Sequence, residues 1–235
     1  MSVIPAPSLR TRFLTIILAL QVAGCALRTV PMQSVPALNA VQPLQARLYD
    51  STTGEWGDRT FCTAFSINEA KHLWATAGHC LKPDDDDMVP SVMVIQGHPV
   101  HTVYLDASAD LGIVSGEDIS APALPLGTQV PRVYSTLRLT NDYIETRGFP
   151  YGLPMLVVTQ GTMAAHYLFL EHPQFPMPIP CDILDVTGAP GNSGSPVLLA
   201  GYVVGVVWGG FTHSAHMIAV PLEEVTRALG PYWEH

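Results

Sequence analysis

The chain has 235 residues, of which 48% are hydrophobic and only 13% are charged, and its formal net charge is −9. This acidity argues against a nucleic-acid-binding surface, which needs clustered Lys and Arg side chains. The apolar content is high enough for a sizeable core and too high for a disordered chain. The 19 Gly and 21 Pro residues favour a loop-rich β protein over a helical bundle.

The first 24 residues resemble an export signal. Arg10 and Arg12 precede an apolar run over residues 13–20, and small residues follow it. The run has about half of the roughly 20 residues that a membrane-spanning helix needs. It leads to Val22-Ala23-Gly24-Cys25, which resembles the lipobox of bacterial lipoproteins. The resemblance implies cleavage before Cys25 and lipidation of its thiol, with palmitate among the acyl chains. The alternative is a plain secretory signal that contains a Cys.

Cleavage before Cys25 would remove two basic residues and no acids, leaving 9 basic residues against 20 acidic ones and a net charge of −11. Ala26 follows, where inner-membrane lipoproteins often carry Asp. The resemblance therefore favours the outer membrane of a bacterial cell envelope, with the protein on the periplasmic or extracellular face. Residues 25–46 contain three prolines without a clean period and are predicted to form a tether. The folded domain is predicted to span residues 47–235.

Short runs rich in β-branched and aromatic residues follow, separated by Gly, Pro or Asp clusters. They predict strands over residues 61–67, 73–76, 92–96, 100–105, 111–114, 133–139, 155–159, 183–186, 197–199, 202–207 and 217–220. Because no long helical pattern intervenes, an all-β barrel or sandwich is favoured. One helix is predicted over Leu222–Leu229, with acids in its first turn and Gly230 after it. The acidic run at 84–87 lacks the spaced ligands of a calcium loop and predicts a solvated loop.

Three segments carry residues typical of hydrolytic sites. His79 lies between a Gly and a Cys after a short apolar strand, and Asp110 stands directly before another apolar run, where a carboxylate needs a donor. Ser193 stands in Gly191-Asn192-Ser193-Gly194-Ser195-Pro196, whose glycines permit a tight turn with converging N–H groups. In this order, 31 and 83 residues apart, the motifs resemble the chymotrypsin-like (trypsin-like) serine endopeptidases. The segment around Ser193 and the later Trp208-Gly209-Gly210 are most similar to the bacterial glutamyl endopeptidases.

This resemblance implies two antiparallel six-stranded β-barrels, with the active site in the cleft between them and a C-terminal α-helix. It also implies a catalytic triad in which His79 is the general base, Asp110 orients it and Ser193 is the nucleophile. The backbone N–H groups of Gly191 and Ser193 would form the oxyanion hole. Asp106, four residues before Asp110, is the competing candidate for the acid.

The resemblance also pairs Cys62 with Cys80 in a disulfide beside the catalytic His. Export makes oxidation plausible, and the alternative is two free thiols. Cys181 is then left without a partner and is predicted to be a buried free thiol. No metal site is expected, because no His-Glu-x-x-His motif or spaced Cys/His cluster occurs.

The substrate-binding residues are predicted, in this sequence, to be Thr187, Val207, Trp208, Gly209 and His216. Glutamyl endopeptidases have a His where this chain has Val207, whereas Thr187 resembles a Thr of their pocket. His213 and His216 could reach the pocket from its other wall or be ordinary loop and strand residues. No Asp lies at the base of the pocket, where Ala189 and its neighbours fall. Cleavage after Lys or Arg is therefore not expected, and a small or apolar residue before the cut is predicted.

Together these features predict a serine endopeptidase that hydrolyses a protein or peptide through an acyl-enzyme. It is expected to act as a lipid-anchored monomer, with no cofactor, no metal and no nucleic-acid partner. Asn192 stands where trypsin-type zymogens have an Asp, so activation by a newly cut amino terminus is not expected. The alternative function is a catalytically silent binding module with the same fold. An α/β-hydrolase esterase is disfavoured, since its triad order differs and Ser195 stands where it needs Gly.

Overall fold

The computed structural model describes residues 38–50, 52–82, 92–129, 143–171, 178–211, 214 and 216–233, all within one folded unit over Val35–His235. One α-helix, α1 (Leu222–Leu229), is described near the carboxy terminus. The strands are β1 (Val41–Asp50), β2 (Glu55–Asn68), β3 (Leu73–Ala77), β4 (Val92–Ile95), β5 (His98–Pro99), β6 (His101–Asp106), β7 (Leu111–Ser115), β8 (Tyr143–Gly148), β9 (Val157–Leu170), β10 (Ile179–Asp185), β11 (Pro196–Leu199), β12 (Tyr202–Gly210) and β13 (Met217–Pro221).

The strands form two antiparallel assemblies that follow one another along the chain. The second is a closed six-stranded barrel in the order β10-β13-β12-β11-β8-β9. The first is a seven-stranded sheet in the order β5-β4-β1-β2-β3-β7-β6, which curls into a half-barrel. The all-β class and the closing helix are confirmed. The expected closed six-stranded barrel in the first half is a half-barrel in the described part of the chain, because its end strands β5 and β6 do not pair with each other.

The cores of the two assemblies form one continuous apolar cluster. β3 and β13 are buried at every position, because each is covered on both faces, so neither shows the alternation of a half-exposed strand. The helix α1 buries Leu222, Val225 and Leu229, which lie on one face at helical spacing. Its apolar face therefore closes the carboxy-terminal end of the core, as its sequence pattern predicts.

The folded part begins earlier than the sequence pattern indicates. Residues 38–46, predicted as the end of a tether, form a short 3-10 helix and the first half of β1. Val41 and Leu44 are buried, and β1 pairs with β2 from Val41 onward. Pro43 is one of the prolines that favoured a tether. It lies in a part of β1 that pairs with β2 on one edge but not with β4 on the other edge. Proline is tolerated in a strand at such an unpaired edge.

Among the strands that differ from the predicted pattern are β8 and β9. β8 was not predicted, because Glu145 and Arg147 interrupt its apolar positions; the two side chains form an ion pair. β9 is about three times as long as its predicted counterpart and continues through polar residues to Leu170. The predicted strand at 133–139, the acidic run at 84–87, His213, the export signal and Cys25 lie outside the described residues. Within the described ranges, no helix is long and apolar enough to cross a membrane.

A partly buried ionic cluster joins the second barrel to α1. Nδ1 of His166 in β9 lies 2.8 Å from Oδ1 of Asp182 in β10, and its Nε2 lies 3.5 Å from Oε1 of Glu223 in α1. The hydrogen bonds to Asp182 and Glu223 raise the pKa of His166 to about 10. Cys181, next to Asp182, is a buried free thiol as predicted, and burial raises its pKa to about 11. The thiol is therefore protonated and unreactive at neutral pH.

Replacing His166 by Gln is expected to lower the free energy of unfolding by about 3 kcal/mol at pH 6, because it removes the cation facing two carboxylates. The folded-state pKa of His166 is raised above its value of 6.5 in the unfolded chain. Its contribution is therefore complete below pH 6.5 and is lost as the pH rises toward 10. Urea unfolding at pH 6, 8 and 10 checks this: the difference between wild type and His166→Gln shrinks with pH. A difference that is constant or grows with pH would contradict it.

Candidate active site

His79 and Asp110 lie together at one end of the first sheet. His79 is in a single 3-10 turn after β3, and Asp110 comes directly before β7, the strand that pairs with β3. Nδ1 of His79 lies 2.7 Å from Oδ2 of Asp110, and the His79 backbone N–H donates to Oδ1 at 2.6 Å. The carboxylate is 3% exposed and the imidazole 38% exposed. The buried Asp110 thus fixes the ring while its other nitrogen stays accessible.

The glycine of the His79 motif permits this contact. A Cβ atom at Gly78 would lie 3.0 Å from backbone atoms of Asp110 and Leu111 and 3.1 Å from Oδ1 of Asp110. The Gly78 N–H also donates to the Asp110 carbonyl at 2.8 Å. Asp110 itself has a φ of 52°, in the left-handed region that Asp tolerates better than most residues. The backbone before β7 therefore turns the carboxylate back toward β3.

Asp106, the competing candidate, faces elsewhere. Its Oδ1 accepts hydrogen bonds from the Ser108 hydroxyl and from the backbone N–H groups of Ser108 and Ala109. Its Oδ2 lies 3.1 Å from a guanidinium nitrogen of Arg227 in α1. Burial raises the pKa of Asp106, but the hydrogen bonds from Ser108, Ala109 and Arg227 outweigh that effect and lower it overall. Asp106 shapes the turn that leads to Asp110 and contacts α1, not His79.

Ser193 lies in the tight turn before β11, in contact with both assemblies. Its carbonyl accepts the backbone N–H of Thr63 in β2 at 2.8 Å, and the following Gly194 N–H donates to Val207 in β12. Its hydroxyl donates to the Trp208 carbonyl at 3.4 Å and, within the described part of the chain, makes no hydrogen bond to His79. Catalytic hydrogen bonds are often absent or long without substrate. Rotation about the Ser193 χ1 angle would turn the hydroxyl away from the Trp208 carbonyl into another staggered position.

The loop before Ser193 presents free backbone donors. The Pro190 carbonyl accepts the Tyr151 N–H at 2.6 Å; because the peptide is trans, the Gly191 N–H points the opposite way. Gly191 has a φ of +98°, and a Cβ there would lie 2.4 Å from the Phe149 carbonyl oxygen, so only glycine fits. Among the described residues, neither the Gly191 nor the Ser193 N–H donates a hydrogen bond. Both remain available to an oxyanion.

Two residues that hold this loop were missed by sequence reasoning. Thr63 is fully buried in β2; its hydroxyl donates to the Gly191 carbonyl at 2.8 Å and accepts the Phe149 N–H at 3.2 Å. Tyr151 has a left-handed φ of 56°, which directs its N–H to Pro190. The position of Thr63 directly after Cys62 was a usable signal, since the partner cysteine adjoins His79. Nothing in the sequence marks Tyr151, whose role comes from its backbone.

Cys62 and Cys80 form the predicted disulfide, linking β2 to the turn that carries His79. The bridge closes a separation of 18 residues, for which loop-closure entropy corresponds to about 3 kcal/mol. Both sulfurs lie within 4.8 Å of a ring nitrogen of His79. Because the sulfurs are bonded to each other, they are not thiolate ligands for a metal.

The predicted substrate-binding residues divide into two groups. Val207, Trp208 and Gly209 in β12 run beside Ser193–Ser195, with the Val207 N–H donating to the Ser195 carbonyl at 2.9 Å. Thr187 is exposed in the loop that leads to Gly191. His216 lies at the start of β13, half-exposed, with its Nε2 3.8 Å from Asp185 and its Nδ1 3.1 Å from the Ser214 hydroxyl. The ring thus faces the end of β10.

A groove of about 1170 Å³ adjoins Gly191. It lies between β1, β2, the turn after His79 and the segment that follows β8, and Gly191 is one of its lining residues. Its walls include Thr60, Phe61, Cys80, Leu81, Tyr151 and Pro190. An extended chain in this groove would therefore pass next to Gly191.

The His79–Asp110 contact and the turn at Ser193 lie on two β-assemblies, and comparisons with known proteins give the family. The trypsin-like peptidase domain family matches residues 62–206, which is more than half of the chain. The chain belongs to this family and is a serine endopeptidase.

Solved structures share the fold at low sequence identity. The active form of the Rv3671c protease from M. tuberculosis is 16% identical, with a TM-score of 0.63 over 98% of this chain and 91% of that one. The HtrA-type protease AlgW, solved with a decapeptide, is 17% identical, with a TM-score of 0.64 over 84% of this chain and 66% of that one. At such identities these likenesses establish the fold alone. No curated protein matches the chain.

Proposed function

We propose that the chain is a lipid-anchored envelope endopeptidase that cleaves protein substrates with His79, Asp110 and Ser193. The observation that carries the catalytic assignment is the Asp110–His79 contact of 2.7 Å beside a turn whose two N–H groups are free. The segment around Ser193 and Trp208-Gly209-Gly210 support a relation to the glutamyl endopeptidases, with Val207 in place of a pocket His. The groove beside Gly191 supports an endopeptidase, because it offers room for the polypeptide beyond the cut.

The mechanism follows from these positions. Ser193 Oγ attacks the substrate carbonyl carbon while Nε2 of His79 takes its proton. The carbonyl oxygen becomes an oxyanion that accepts hydrogen bonds from the N–H groups of Gly191 and Ser193. Asp110, bonded to Nδ1, keeps the ring in the required tautomer and stabilises the imidazolium. His79 then protonates the leaving amine, and water hydrolyses the acyl-enzyme by the same steps, regenerating the Ser193 hydroxyl.

Among the described residues, the oxyanion loop is held by neutral hydrogen bonds. The loop accepts hydrogen bonds from the Tyr151 N–H and the Thr63 hydroxyl. Within it, the Asn192 N–H donates to the Ala189 carbonyl at 3.0 Å. Asn192 is buried, and Gly148 makes room for it, since a Cβ there would lie 2.6 Å from its Oδ1. These contacts support a site that is competent without proteolytic activation.

Active-site labelling tests this proposal. The purified protein is treated with a fluorophosphonate, and the adduct is located by peptide mass spectrometry. We expect one adduct per chain, on Ser193, together with cleavage of an unfolded protein at internal bonds. An unlabelled protein that binds but does not cleave polypeptides would instead support the silent binding module.

Replacing Gly191 by Ala is expected to lower kcat by about 10²- to 10³-fold, the usual effect of losing one oxyanion donor. The added methyl group would collide with the Phe149 carbonyl, and alanine disfavours the φ of +98°. The loop must therefore move and turn the N–H away. Peptide hydrolysis under saturating substrate measures the change. Gly152→Ala is the matched control, because its φ is also positive, at +70°, but its Cβ would lie no closer than 3.4 Å to a neighbour. Equal losses in both variants would contradict the assignment.

The membrane anchor is a separate part of the proposal, supported by the lipobox-like sequence before Cys25. In a bacterial host, the wild-type protein should incorporate labelled palmitate and sediment with the outer membrane, because two or more acyl chains give stable binding. Cys25→Ser should abolish incorporation and release the protein as a soluble form. Unlabelled wild-type protein in the soluble fraction would overturn the anchor but leave the protease assignment intact.

A further inference from the structure

Met217 lies at the start of β13, opposite Leu184 of β10 and Gly210 of β12. Only 1% of its surface is exposed. The neighbouring His216 is half-exposed and faces Asp185. β13 therefore turns a long, flexible, apolar side chain inward at the end of the barrel that carries Ser193.

The Met217 side chain lies along Gly188. A Cβ atom built on Gly188 would lie 2.5 Å from Cγ of Met217 and 3.2 Å from both its Sδ and its Cε. Gly188 is absent from the positive-φ residues, so it is needed here for space and not for its backbone conformation. Gly188 stands five residues before Ser193, in the loop that presents the oxyanion donors. Met217 thus fills the volume that a side chain at position 188 would occupy.

The facing wall is the end of β12. The Trp208 carbonyl accepts the Ser193 hydroxyl at 3.4 Å, so this part of β12 lies beside the nucleophile. A Cβ at the next residue, Gly209, would meet no atom of the described residues within 4 Å. Space is therefore open next to Gly209, whereas the side of the loop at Gly188 is closed by Met217.

We infer that Met217 is the floor of the pocket for the residue before the cut and restricts that residue to small apolar side chains such as Ala and Val. This inference rests on the proposed function and names its substrate class. A longer side chain would have to displace a buried Met, which costs free energy through overpacking. A charged side chain would be desolvated against a thioether with no partner. Among the described residues, His216 is the cation candidate nearest to Met217, and it faces Asp185 at 3.8 Å.

The test is a series of fluorogenic peptides that differ only in the residue before the cut: Ala, Val, Leu, Phe, Glu and Lys. Wild type should have its highest kcat/KM with Ala or Val. Met217→Ala should raise the Phe-to-Ala ratio of kcat/KM by at least about 10-fold, the scale on which pocket volume discriminates apolar side chains. Met163→Ala is the matched control, since Met163 is also buried to 1% in the same barrel, on β9. It should lose stability without changing the ratio.

Fluorophosphonate titration of every variant separates this inference from the proposed function. If wild type is neither labelled nor active, the proposed function fails and the inference with it. If the variants are labelled and active but Met217→Ala leaves the ratio within threefold of wild type, only the role of Met217 is overturned. A wild-type preference for Phe, Lys or Glu also overturns it. Should Met217→Ala not fold, Met217→Val shortens the side chain with a smaller cavity, and the same ratio decides.

Discussion

Replacing Ser193 by Ala is expected to lower kcat for peptide hydrolysis by about 10⁵- to 10⁶-fold, the range found when a triad nucleophile is removed. The fold should be unaffected. Among the described residues, the Ser193 hydroxyl makes only a 3.4 Å contact to Trp208. The Ser193 carbonyl accepts a hydrogen bond from the Thr63 N–H, and Ala keeps that carbonyl. Steady-state kinetics with a thermal unfolding curve measure both effects.

Ser195→Ala is the matched control for that substitution. Ser195 stands two residues after the nucleophile, is fully buried, and its hydroxyl has no hydrogen-bond partner within the described part of the chain. Removing it should leave kcat within a few-fold of wild type. Combining Ser193→Ala with His79→Ala should add little to the single loss, because the two residues act as one unit. A Ser193→Ala protein that keeps more than about 1% of wild-type kcat would contradict the nucleophile assignment.

The fold class and the contact between His79 and Asp110 were predictable because their signals are local. His79, Asp110 and Ser193 each carry flanking Gly or apolar residues that reflect turns and strand ends at those positions. The disulfide was predictable from the family resemblance alone. The start of the fold was not, since Pro43 suggests a tether until the pairing of β1 with β2 is known.

The residues that hold the site together depend on contacts between distant segments. Thr63 bonds to Gly191 across 128 positions, and its position directly after Cys62 marks it only once the disulfide to Cys80 is assigned. Tyr151 acts through its backbone N–H and a left-handed φ. Neither can be predicted from the type of side chain at this position. From the sequence alone, Met217 is indistinguishable from other core methionines. Its contact with Gly188 is visible only in the structure. Sequence therefore indicates candidate reacting groups more readily than the residues that hold the surrounding loops in place.

Asp110→Asn is expected to lower kcat by about 10⁴-fold at neutral pH, the usual effect of an amide at this position of a triad. The Asn side chain can donate to Nδ1 of His79 and so favour the tautomer in which Nε2 carries the proton. That tautomer cannot accept the proton of Ser193. Because Asp110 is 3% exposed and bonded to the His79 backbone, water cannot replace its charge. The measurement is kcat against pH, with the loss persisting across the neutral range.

Asp106→Asn decides between the two carboxylates. An Asn Oδ1 can still accept the hydrogen bonds from Ser108 and Ala109, so the turn before β7 should persist. What is lost is the ion pair with Arg227, whose side chain is 53% exposed; such pairs contribute at most about 1 kcal/mol. We therefore expect kcat within about threefold of wild type and a slightly lower melting temperature. If Asp106→Asn lost as much activity as Asp110→Asn, the turn would have to be part of the catalytic unit. The buried contact between Asp110 and His79 would then not be sufficient to orient the base.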